Sequence, residues 1–256
     1  MSYNDLITSP LTQFEIVSLA NFSGGGVNLS FTNSAFLMLL AVVFGVILYQ
    51  TQVAEGSGTI IPSRWGLLGR GTYTMAYGMV EENTGKEGQV FFPFVFSIFM
   101  FVLRCNVLGL VPYSFTVTSH LIVTITLAGM IFLGKLIIGF RRHGLHFFAL
   151  LLPGGAPMAM APFLVRIELV SFNITVVSLS VRLFANMMAG HILLKVLAGF
   201  AWTMMLGGFA LFIAHFVPLG VLFALYGLET GVAIVQAYVF SLLTCIYLAE
   251  VMEGAH

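Results

Sequence analysis

From Phe147 to Ala249 the chain carries five charged residues, Arg166, Glu168, Arg182, Lys195 and Glu229, in an otherwise apolar and glycine-rich background. A water-soluble fold built on such a run would lack polar side chains for its surface. The rest of the chain points the same way: 59% of its 256 residues are hydrophobic and 8% are charged, against about 25% charged in soluble domains. The sequence predicts an all-α integral membrane protein. Its formal net charge of +0 gives no basic patch for nucleic acid.

The order of polar and apolar stretches sets the organisation, read as one membrane domain over residues 1–256. Residues 1–30 are a mixed N-terminal segment with "FSGGG" as a turn. Its start has neither a basic region nor an apolar core, so no secretory signal is expected. Residues 31–140 hold spanning helices and a surface helix. "FTNSAFLMLLAVVFGVILYQ" opens with N-cap side chains at Thr32 to Ser34 and is long enough to cross a bilayer. Arg64 to Glu82 alternates charges with Trp65, Leu68, Met75 and Met79 at helical spacing, which predicts an amphipathic helix on the membrane surface. Its four glycines weaken that helix. Val90 to Pro112 and Ser119 to Phe140 are two further spans joined by a short turn, hence an antiparallel hairpin. Arg141, Arg142 and His143 mark the inner side of the membrane.

His143 to Pro162 is broken by prolines and glycines and reads as a re-entrant or interfacial connection. Residues 163–250 then raise a length problem. Phe163 to Gly199 alone makes a helix of about 55 Å at 1.5 Å per residue, whereas a hydrocarbon core is about 30 Å thick. Ala201 to Glu250 is overlong too, relieved in part by Pro218. Two such helices in succession predict a hairpin lying far from the membrane normal.

A charge at the bilayer centre costs about 2.5–3.5 kcal/mol on insertion scales. Such residues face water, a partner or a functional path. At about 100° per residue, Glu168, Thr175 and Asn186 fall within about 40° of Arg182 and form one polar stripe. Ser171, Ser178, Ala185 and Ala189 flank it and allow another helix to approach closely. His191, Lys195 and Arg166 fall on the opposite face. Glu229 and Gln236, two turns apart, share a face of the last helix. An intramembrane glutamate with a histidine is the material of a proton relay, while arginine stays charged and acts as a barrier or counter-ion. A structural ion pair between Arg182 and Glu168 is the competing reading. His215, His120 and His146 read as structural or interfacial. Lys195, Lys135 and Arg104 read as snorkelling cations. Cys105 and Cys245 read as buried apolar residues. No CxxC, HExxH, GxSxG or P-loop pattern occurs, so no metal, cofactor or active site of its own is expected.

"SVRLFANMMAGHILLK" closely resembles the signature of the a subunit of F-type ATP synthase. "SPLTQFEI", "VPYSFTVTSHL", "HGLHFFALLLP", "YGLETGVAIVQAYVF" and "TCIYLAE" fall in that family's order. The resemblance implies a stator beside a ring of c subunits, with protons passing to and from ring carboxylates through two half-channels. It implies that Arg182 separates the half-channels, His191 and Glu229 belong to the inlet path, Asn186 and Gln236 lie near the arginine, and Glu168 serves the outlet. It implies c-ring, peripheral-stalk and lipid partners in the mitochondrial inner membrane, or in the plasma membrane of a bacterium. Thr175 stands where many members carry a second arginine, and Lys195 where some carry a second histidine, so a paired-histidine metal site is not expected. An independent secondary transporter, with Arg182 binding an anionic substrate, is the alternative; no internal repeat supports it.

Overall fold

The computed structural model describes residues 11–21, 23–24, 27–28, 30–56, 64–111, 114–144 and 160–253. After a 3-10 turn at Thr12–Phe14 come four short strands: β1 (Ser18–Ala20), β2 (Ser23–Gly24), β3 (Val27–Asn28) and β4 (Phe31–Thr32). They form two antiparallel ladders, β1 on β4 and β2 on β3. This is more order than the turn expected around "FSGGG". The helices follow: α1 (Asn33–Gly56), α2 (Arg64–Thr84), α3 (Phe92–Gly109), α4 (Leu121–His143), α5 (Ala161–Met205), α6 (Phe209–Ala214) and α7 (Phe216–Glu253). Further 3-10 turns lie at Lys86–Phe91 and Val117–Ser119. The described residues include 5 helical stretches long and apolar enough to cross a membrane, the last two being Phe163–Met205 and Phe209–Met252. The protein is thus an all-α, multi-pass membrane protein. Residues 145–159, most of the proline-broken connection with His146, lie outside the described residues.

Local chemistry explains the helix starts and lengths. Thr32 Oγ1 accepts the Ala35 amide at 3.4 Å, capping α1. Asn33 ties that cap to the preceding chain, accepting the Val17 amide at 3.3 Å and donating to the Glu15 carbonyl at 3.1 Å. Helix α2 forms through its glycines. It buries Ala76, Met79 and Val80 at helical spacing, while Trp65, Leu68 and Met75 remain exposed. Helix α5 is unbroken for 45 residues and α7 for 38. Between them the chain turns at Gly207 and Gly208, the latter at φ 108°.

The residues group into two compact units. The first comprises residues 1–45, 101–120 and 183–237. Its core joins Leu110, Met187 and Ala233. Asn106 Nδ2 donates to the Ala233 carbonyl at 3.1 Å, and the Tyr226 hydroxyl donates to the Leu110 carbonyl at 3.2 Å. The Arg104 guanidinium packs on α1 at Gly45, where a Cβ would overlap it.

The second unit comprises residues 46–100, 121–182 and 238–256. Met79, Val80, Val95, Cys245 and Leu248 form its core. Ser180 Oγ donates to the Thr124 carbonyl at 3.2 Å, and a His143 ring nitrogen meets the Val251 carbonyl at 3.0 Å. Lys135 does not snorkel to an interface as expected. Its side chain is 5% exposed and is paired with Glu250 at 2.5 Å, over the Tyr247 ring.

Candidate functional site

Within the first unit, α5 and α7 meet through small and apolar residues. Ala233 and Met187 are fully buried against each other's helix. One turn along, the backbone at Gly190 lies so close to Glu229 that a Cβ there would overlap the carboxylate. The two side-chain bonds from the α3 end hold α7 at Tyr226 and Ala233. They bracket Glu229 on its own helix, so its position is set from both sides.

Glu229 is 6% exposed, and neither carboxyl oxygen has a hydrogen-bond partner among the described residues. His191 Nε2 stands 3.9 Å from Glu229 Oε1. That is too long for a hydrogen bond and is a gap that one water can bridge. The same nitrogen lies 3.0 Å from Thr116 Oγ1. The Thr116 hydroxyl donates its single hydrogen to the Gly109 carbonyl at 3.3 Å, so it accepts from the imidazole. A proton on His191 Nε2 would complete this contact, and the ring edge is turned towards Thr116 and Glu229. Sequence reasoning did not find Thr116. Its signal was present only as part of "VPYSFTVTSHL", without a stated partner.

Asn186 Nδ2 reaches Gln236 Oε1 at 3.4 Å, while Gln236 Nε2 is buried without a partner among the described residues. Four residues before Asn186 on the same helix, Arg182 is exposed. Among the described residues it has no ion pair, and the structural pair with Glu168 does not form. Glu168 is half-buried in the second unit, within electrostatic reach of Lys135. Arg166 is exposed.

Lys195 Nζ meets Thr12 Oγ1 at 3.4 Å, and the Phe14 ring stands edge-on to His191 with centroids 6.5 Å apart. His215 is buried, with Nδ1 against the Phe212 carbonyl. His120 stacks on Phe115 with ring centroids 4.9 Å apart. Neither touches the His191–Glu229 pair. No group of acidic, histidine and cysteine side chains suited to a metal ion occurs among the described residues.

The family model described as ATP synthase A chain matches residues 34–249. ATP synthase subunit a of Chondrus crispus is 49% identical over 253 residues, covering 99% of both chains. That of Brassica napus is 48% identical over 250 residues, 96% of both chains. That of Pylaiella littoralis is 48% identical over 245 residues, 96% of this chain and 98% of the other. Matched over nearly its whole length, the chain belongs to the ATP synthase A chain family and is a membrane subunit of that complex.

Proposed function

We propose that this subunit is the stator that forms two proton half-channels and passes protons to and from the carboxylates of a c-subunit ring. One observation carries the reading. A single unbroken helix presents an exposed arginine, and nine residues later a half-buried histidine set beside a buried glutamate. An exposed guanidinium keeps its charge at any working pH. Placed against a passing ring carboxylate, it favours the deprotonated form, prompts release and blocks direct leak. His191 and Glu229 exchange protons, because His191 Nε2 stands 3.9 Å from Glu229 Oε1, a gap one water can bridge. They form the inlet. Asn186 and Gln236 line the approach to Arg182, and Glu168 serves the outlet.

The driving force is the membrane potential with the pH gradient; one charge moved through 100 mV yields about 2.3 kcal/mol. The subunit holds no reaction chemistry of its own. The ring, the peripheral stalk and lipids are its partners. Relatives from a red alga, a brown alga and a plant favour the mitochondrial inner membrane over a bacterial plasma membrane. Family membership removes the basis for an independent anion transporter.

The test is Arg182→Ala in the whole complex, reconstituted in sealed vesicles. The variant is expected to assemble but to lose proton-driven ATP synthesis. Normal synthesis in an assembled variant overturns the reading.

A further inference from the structure

The N-terminal turn at Thr12–Phe14 lies against the His191 region of α5. Thr12 and Phe14 contact Lys195 and His191, which are one helical turn apart. Gln13, between them, is half-buried, and its amide nitrogen is fully enclosed with no partner among the described residues. A buried amide left without a hydrogen bond costs about 1–3 kcal/mol, so a segment that merely packed there would do better with an apolar residue. The chain behind the turn is anchored as well, since Asn33 at the head of α1 holds Glu15 and Val17. The turn is therefore a fixed part of the enclosure around His191.

We propose that the Thr12–Phe14 turn closes the outer side of the proton inlet, and that Gln13 is a positioning residue that holds incoming water in line with His191 and Glu229. This rests on the reading of that pair as the inlet. Phe14 shields the imidazole edge from bulk solvent. Lys195, held by Thr12, keeps its cation one turn away from the imidazole. Other titratable groups within the first unit on the elements next to His191 include Glu229 and Tyr226 on α7, His120 at the end of the Val117–Ser119 turn, and Glu15 following Phe14. Of these, Glu229 stands in ion-pair geometry with the ring.

The experiment uses the whole ATP synthase reconstituted in vesicles, with turnover followed against the pH on the inlet side. Gln13→Leu is expected to lower proton-driven turnover about fivefold at neutral inlet pH, the factor for one hydrogen bond. Acidifying the inlet should relieve the loss, because proton supply then limits less. Gln13→Asn should restore part of the rate. A loss that is equal at every inlet pH, or no loss in an assembled Gln13→Leu complex, overturns the proposal. Glu229→Gln serves as the control. If it turns over normally, the inlet reading itself has failed; if it is inactive while Gln13→Leu behaves as wild type, only the role of the turn has failed. Should Gln13→Leu not assemble, Phe14→Leu gives the same reading, and a pH profile unchanged from wild type overturns the proposal.

Discussion

At Gly190 a methyl group would meet the carboxylate of Glu229 rather than backbone. The obstacle is the far end of a flexible side chain, so the helices need not separate; the carboxylate swings away instead. Gly190→Ala should therefore leave folding intact, and even favour the helix by up to about 1 kcal/mol. Proton transport should nevertheless fall at least tenfold, since a displacement of about 1 Å in a reacting group can cost about a hundredfold. Thermal stability and proton-driven turnover of the same complex check both halves. Helix phase placed His191 about 180° from Arg182, and the structure finds Arg182 exposed and His191 turned towards Thr116 and Glu229. Thr116, Gln13 and Phe14 were not legible. Their positions depend on contacts between residues far apart in the chain, and periodicity reports only which residues share a face.

Helices α4 and α7 are joined by a contact that apolar periodicity does not announce. Lys135 reads from sequence as a cation bound for an interface, yet it is buried on Glu250 and Tyr247. Removing one partner of a buried pair leaves a charge without that counter-ion, which costs about 3–5 kcal/mol when both groups are fully buried. Glu250 is 46% exposed, so solvent recovers part of it. Glu250→Leu should destabilise by about 1–2 kcal/mol. Lys135→Met, which removes the charge itself, should cost less, and the double variant should resemble Lys135→Met. Equal losses from both single variants, measured by thermal unfolding in detergent, would contradict this account. Helix existence was legible throughout, because runs of apolar residues between turn signals are the strongest cue a sequence offers. The helical state of residues 64–84 was legible from Trp65, Leu68, Met75 and Met79 at helical spacing, but its packed face was not: of these four Met79 is buried, beside Ala76 and Val80. The small ladders of residues 18–32 were not legible, since strands of two or three residues carry no period.

The whole molecule has to fit two overlong helices into one bilayer. At 1.5 Å per residue, 45 and 38 residues span about 68 Å and 57 Å. Kept within about 30 Å of hydrocarbon, both lie about 60° from the membrane normal. Spin labels placed along residues 163–205 should then deepen by about 0.7 Å per residue instead of the about 1.5 Å of an upright helix. A slope of 1.5 Å with labelled ends in water would show an upright helix projecting from the membrane. The length of the first of these helices was legible in outline, because no proline interrupts residues 163–217.

The seat of Arg104 on Gly45 makes a change at one position depend on the other. A larger side chain at position 45 overlaps the guanidinium, which is the far end of a flexible side chain and must swing aside. The two positions are therefore expected to couple energetically rather than to add. A methyl at residue 45 should disturb the packing while Arg104 is present and be tolerated once residue 104 is shortened.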